Sequence, residues 1–203
     1  MSIREDKVAK EIKCYFTTYD ELLKKTFNAL EILVASEVLP KHTVMICEGE
    51  FVEAYLINEE LKHVIEAILA NNRFPYSAGI YVGRLRKSKP YIIPSVDFLT
   101  LIYELKREYF KAVKIRDEGL KPFLYGKDVL KASVTECFPP LNNGDVIGVI
   151  GNDGYVYGVA LSKVSDCNEV LKLNPNDVVA TNVFDVGWFL RGETRVKEKK
   201  FKV

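Results

Sequence analysis

Pro122-Phe123-Leu124-Tyr125-Gly126-Lys127-Asp128-Val129-Leu130-Lys131 is the stretch on which the fold assignment turns. An apolar strand end runs here into a glycine turn, and Lys127 and Lys131 follow at a spacing of four. The spacing predicts a short helix over Lys127–Val134, with both ammonium groups on one face. Free N–H groups at a helix start, together with two cations, suit phosphate oxygens. On both sides lie short apolar runs separated by glycine, and seven of the twelve glycines fall between Gly119 and Gly158. Phe110–Arg116, Asp145–Ile150, Tyr155–Leu161 and Val178–Val183 read as strands, with Gly151-Asn152-Asp153-Gly154 as a turn between the second and third. Short strands, glycine turns and one helix predict a small, partly closed β barrel.

Upstream of residue 112 the character changes. Ser2-x-x-Glu5 and Thr18-x-x-Glu21 have capping-box spacing. After the second, Leu23, Phe27, Leu30, Val34 and Val38 form one apolar stripe on a helix of about 20–38. Val44–Glu48 and Phe51–Ile57 read as a hairpin through Gly49-Glu50. Asn58 caps a helix carrying Leu61, Val64, Ile65, Ile68 and Leu69. Ala78–Arg86 and Tyr91–Pro94 read as strands around Lys87-Ser88-Lys89, and Ser95 caps a further helix with Phe98, Ile102, Leu105 and Tyr109 on one face. The chain is thus α+β, its first half made of helices on a mainly antiparallel sheet.

The 203 residues are 48% hydrophobic and 28% charged, which excludes disorder. No apolar run is long enough to span a bilayer. The charged start, Arg4-Glu5-Asp6-Lys7, does not resemble a secretory signal, so an intracellular, cytoplasmic protein is expected. Cys14, Cys47, Cys137 and Cys167 form no C-x-x-C pair and are read as four independent, mostly buried thiols. His42 and His63 lie at no ligand spacing, so no metal is expected.

Charge is segregated. Residues 48–66 have a net charge of −5, residues 73–91 of +5 and residues 191–203 of +4, although the whole chain is +1. The basic clusters suit a polyanion; they equally suit a solvated hairpin tip and a soluble tail. No phosphate-binding P-loop, dinucleotide fingerprint, G-x-S-x-G or H-E-x-x-H is present. Asp97 and Asp185 are the candidate general bases, each weighed against a capping or structural role. No enzymatic activity is expected.

Phe123-Leu124-Tyr125-Gly126 with Val129-Leu130-Lys131 resembles the opening of the PUA domain in the nuclear-import-seven type of large-subunit ribosome-biogenesis factor. The likeness continues through Tyr157-Gly158-Val159-Ala160, Asp166-Cys167, Pro175, the run Val178 to Phe184, Asp185-Val186-Gly187 and Arg191 to Thr194. Upstream, the Thr18-x-x-Glu21 helix, the Asn58–Ala70 helix, Ala78-Gly79 and Val96-Asp97-Phe98-Leu99 fit that family's pre-PUA domain. The resemblance implies an α+β pre-PUA domain over 1–112, with 1–17 as an extension. A PUA pseudo-barrel over 113–195 and a basic tail over 196–203 follow.

It also implies a non-enzymatic adaptor in pre-rRNA processing and large-subunit assembly. Such an adaptor binds single-stranded RNA, uridine-rich in some members, and other ribosome-assembly proteins. No cofactor, membrane or small-molecule substrate is implied. Two departures shape the expected site. Ala132-Ser133 stands where relatives often have Ser-Gly, and the strand toward Asp185 offers Asp177, Val178, Thr181 and Phe184 but no cation. Phosphate contacts are therefore expected from Lys127, Lys131, Lys163, Lys172, Arg191, Arg195 and Lys197, with Tyr125 stacking a base. Arg84, Arg86 and Lys87 form a second expected contact. Residues 113–190 are net −3, which supports a rival reading as a protein-interaction scaffold with weak RNA affinity. An RNA-modifying enzyme is a third reading.

Overall fold

Short runs rich in β-branched and aromatic residues build two sheets. The computed structural model describes residues 12–18, 43–49, 51–71, 73, 75, 78–85, 92–105, 107, 110–188 and 191. The helix expected over 20–38 and the basic turn at 87–89 lie outside them, as does the tail from residue 192. In the first sheet β1 (Lys13–Thr17), β2 (Thr43–Glu48), β3 (Val52–Ile57), β4 (Ile80–Leu85) and β5 (Ile92–Pro94) are bonded in that order. Every pair is antiparallel, and the β2–β3 hairpin matches expectation.

Of the predicted caps, those at Asn58 and Ser95 are formed, while the capping boxes begun by Ser2 and Thr18 run into residues outside those described. The Asn58 side chain accepts from the Leu61 N–H at 2.8 Å at the start of α1 (Glu59–Ala70). The Ser95 hydroxyl accepts from the Phe98 N–H and donates to the Tyr81 carbonyl, which ties α2 (Val96–Leu105) to β4.

The second sheet contains β6 (Ala112–Ile115), β7 (Val129–Leu130), β8 (Val134–Phe138), β9 (Val146–Ile150), β10 (Val156–Ser162) and β11 (Val178–Asp185). Its strand order is β7-β11-β10-β9-β6-β8, and it curls into a half-barrel. Only the β6–β9 pair among these is parallel. The predicted turn at 151–154 joins β9 to β10.

The helix expected over Lys127–Val134 is not there. That stretch is β7, a 3-10 turn (Lys131–Ser133) and the first residue of β8. Tertiary pairing takes its backbone groups. Lys131 donates its N–H to the Asp177 carbonyl and Ala132 donates to Pro175, while Val129 and Leu130 pair with β11. β-branched Val129 and Val134 fit that ladder better than a helix. The helix of this region lies upstream instead, as α3 (Asp117–Leu124). Asp117 and Glu118 suit its positive end, and Pro122 sits inside it, a residue that removes one helical hydrogen bond and obscures the pattern. The apolar end Phe123-Leu124 is therefore helical rather than the end of a strand. A second helix, α4 (Cys167–Lys172), starts where the Asp166 side chain accepts from the Glu169 N–H at 2.8 Å.

The four cysteines are not independent thiols. Cys14 bonds to Cys47 and Cys137 to Cys167. The pairs are 33 and 30 residues apart, and only the topology brings them together. Cys14 and Cys47 are cross-strand partners in β1–β2, and the second bridge ties β8 to α4.

α2 is the wedge of the molecule. Phe98 and Leu99 pack in one continuous core with Val44, Ile46 and Leu56 of the first sheet and Ala112, Ile150 and Val159 of the second. A separate core fills the half-barrel around Ile115, Phe123, Ile147 and Val179. The sheets part between residues 94 and 112, but the apolar packing does not.

Two outcomes follow. Phe98→Ala, which empties a fully buried site, should cost about 3–5 kcal/mol. Urea unfolding read by far-ultraviolet circular dichroism and by Trp188 emission should shift together. Thiol titration of the denatured, unreduced chain should find no free thiol.

Candidate nucleic-acid interface

β11 organises the candidate interface, bonded to β7 on one side and to β10 on the other. Its Asn182 is buried and fully used. The backbone N–H donates to the Asp128 carboxylate at 2.9 Å, and the side-chain amide donates to the Phe123 carbonyl at 2.9 Å and to Asp185 at 3.2 Å. Asp185 is wholly buried and accepts both terminal nitrogens of Arg191, at 2.9 and 3.1 Å. These bonds clamp the end of α3 and the loop 125–128 onto the sheet. Gly187 completes the clamp, since a Cβ there would stand 2.2 Å from the Leu124 carbonyl oxygen. The Asp185-Val186-Gly187 signature thus has a structural cause, and Asp185 is a structural anion rather than a general base.

α3 stands between two clefts. One, of about 690 Å³, has Arg116, Lys127 and Leu130 in its lining, with Glu118 and Asp128 as acidic members. The other, of about 660 Å³, is lined by Lys121, Tyr125 and Arg191 among others. Tyr125 is 64% exposed at the end of α3, as a stacking platform requires. Lys127 is exposed and Lys131 half-buried. They do not share a helical face. Lys127 donates its N–H to the Pro122 carbonyl at the end of α3, whereas Lys131 donates to the Asp177 carbonyl beside β11, so β7 lies between the two cations.

Lys163 follows β10, where its N–H donates to the Val179 carbonyl, and Lys172 ends α4; both are exposed. Arg116 and Lys121, also exposed, were not expected at the interface. Their signal is the α3 pattern, which Pro122 hides. The Asp177 carboxylate accepts from the backbone and side-chain N–H groups of Asn174 at 2.7 and 3.1 Å, closing the loop before β11.

Two expected phosphate contacts are committed elsewhere. Arg191 forms the buried bidentate pair with Asp185 just described. Arg84 donates to Glu53 at 3.0 Å and lies over the Phe51 ring, its Cζ 3.8 Å from the centroid. Glu53 and Arg84 are register partners on β3 and β4, so the acidic run at 48–66 and the basic run at 73–91 meet across the sheet. Burial and the neighbouring Glu53 hold the Tyr81 phenol well above its usual range. At the β9–β10 turn the Tyr157 hydroxyl, donating to Asp153 at 2.6 Å, is pushed up to about 12. Arg86, Lys87, Arg195 and Lys197 lie outside the described residues. Asp97 is exposed in the first turn of α2, where Ser95 provides the cap. Among the described residues no three metal-ligating side chains converge, and no helix is long and apolar enough to cross a membrane.

Residues 111–194 match the model of the family described as UPF0113 PUA domain. The second half of the chain has the PUA fold. The chain is 27% identical over 143 residues to the 60S ribosome subunit biogenesis protein nip7 of Schizosaccharomyces pombe, covering 68% of this chain and 73% of that protein. A conserved PUA domain protein of Thermoplasma acidophilum superposes with a TM-score of 0.54 at 12% identity, over 86% of this chain and 95% of its own. A hypothetical protein of Pyrococcus horikoshii superposes with a TM-score of 0.57 at 14% identity, over 88% and 99%. These two superpositions span both sheets of the present chain, so the fold likeness is not confined to the PUA half.

The clamp is open to a direct check. Arg191→Ala leaves Asp185 buried without its cation and should cost about 3–5 kcal/mol in urea unfolding. Arg191→Lys, which keeps the charge and loses the fork, should cost less.

Proposed function

We propose that this protein is an RNA-binding, non-enzymatic assembly factor of the large ribosomal subunit, gripping single-stranded RNA along the α3 and β7–β11 face of its PUA half. The observation that carries the reading is the placement of exposed Tyr125, Lys127, Arg116 and Lys121 around two open clefts. They stand on a fold shared with a biogenesis protein's sequence family. Phosphates meet Arg116, Lys121, Lys127 and Lys131, a base stacks on Tyr125, and Lys163 and Lys172 extend the path at the start of β11. Other assembly proteins are the remaining class of partner.

The scaffold alternative is favoured by one specific observation. Arg191 is held by Asp185, and residues 113–190 are net −3, so affinity for RNA must come from a local patch rather than from overall charge. Filter binding to single-stranded rRNA fragments at two salt concentrations separates the readings. The double variant Lys127→Glu, Lys131→Glu should lower affinity at least about tenfold and make the slope of log K against log salt shallower by about 1.4, the loss of two single-strand phosphate contacts. Unchanged affinity and slope would remove this face from the interface, and no salt-dependent binding by the parent chain would favour the scaffold.

A further inference from the structure

A third cavity, of about 350 Å³, lies between the two halves of the chain. Phe51 and Tyr81 of the first half line one side, and Phe184 and Trp188 of the second line the other. Phe184 and Trp188 are in contact, with ring centroids 5.8 Å apart and planes inclined at 56°. The volume falls in the range of small-ligand sites, and aromatic rings from both sides suit a flat heteroaromatic guest.

Two polar groups on the lining give that guest a chemical identity. Arg84 is held in place by Glu53 and the Phe51 ring, and its Nε is buried with no acceptor among the described residues, so the guanidinium on this lining is not fully satisfied within the fold. Asp97 offers an exposed carboxylate on the same lining, its helix being capped by Ser95 instead. One guanidinium donor and one two-oxygen acceptor have to be matched. Guanine alone among the four RNA bases presents two adjacent donors, N1–H and N2–H, to a single carboxylate while offering O6 and N7 as acceptors. Uracil has one N–H donor. Adenine and cytosine carry their donors on a single exocyclic nitrogen.

We propose that this cavity takes one guanine base of a bound RNA, stacked on the aromatic walls, with Asp97 accepting from its N1–H and N2–H and the Arg84 guanidinium on the same lining facing its O6 and N7 edge. The inference rests on the RNA-binding reading above and adds a base-reading site whose Val186 and Trp188 flank Gly187, a lining residue of the Lys121 and Tyr125 cleft. It also accounts for Arg84 and Asp97 standing on a lining that is mostly aromatic and aliphatic. A base extruded from a single strand is read in this manner by its Watson–Crick edge and its faces.

The chain has a single tryptophan, Trp188, so its emission reports on occupancy of the cavity directly. The full chain is titrated with GMP, with UMP, with a short oligouridine and with the same oligomer carrying one guanosine. GMP should quench Trp188 saturably and UMP should not. The guanosine oligomer should reach half-saturation at a concentration at least about tenfold below that of GMP, because phosphate contacts add to the base. Asp97→Asn, an exposed change that leaves the circular dichroism spectrum intact, should weaken the GMP response about tenfold, the size of one bidentate base contact.

Equal quenching by GMP and UMP, or none by GMP and the guanosine oligomer, overturns the proposal. GMP acting as well as the guanosine oligomer overturns RNA as the source of the base. Oligouridine retention on filters, measured in parallel, distinguishes the failures: retention without a guanosine effect sinks the cavity alone, and loss of all retention sinks the RNA-binding reading.

Discussion

The buried pair of Asp185 and Arg191 is the constraint on which the PUA half depends. A carboxylate without water is tolerable only if its oxygens are hydrogen-bonded and its charge compensated, and here three N–H groups from two side chains do both. Through Asn182 and Asp128 the same network reaches across to the end of α3. Exposed Tyr125 and Lys127, on which the proposed interface rests, are carried on the loop that this network holds. Rigidity under the loop lets a few exposed side chains act at defined positions, as a surface of net negative charge requires of a polyanion binder.

Charge pattern along the chain proves a poor guide to charge pattern in space. The acidic and basic runs of the first half are separate in sequence, yet β3 and β4 set Glu53 of one against Arg84 of the other. Arg191 is likewise an ordinary surface cation in sequence and, in the fold, the half-buried partner of a buried carboxylate. Among the described residues the proposed interface draws on a smaller set: Lys127, Lys131, Lys163 and Lys172, with Arg116 and Lys121 added once α3 is located.

The legible parts are those whose signal is local. Asn58 and Ser95 announce their helices through side chains that satisfy nearby N–H groups, and the 151–154 turn follows from residues that favour tight reversal. The PUA half was legible as a fold through the motif from Phe123 to Lys131, even though the conformation assigned to that motif was wrong. Its helical spacing competes with a ladder to β11 that only the distant strand can supply. The disulfides were illegible for the same reason: partners 33 and 30 residues apart meet through topology, which residue spacing does not encode. Arg116 and Lys121 were hidden because a proline stands inside α3.

The wedge formed by α2 has a further bearing on how the protein can be taken apart. Ala112, Val146, Ile150, Val156 and Val159 share one core with residues of the first sheet and α2, in addition to partners from their own half such as Phe184. A fragment cut at the boundary between the sheets would carry that face naked into water. Such a piece would stick to itself or to whatever greasy surface it met, and its apparent affinities would describe that stickiness instead of recognition.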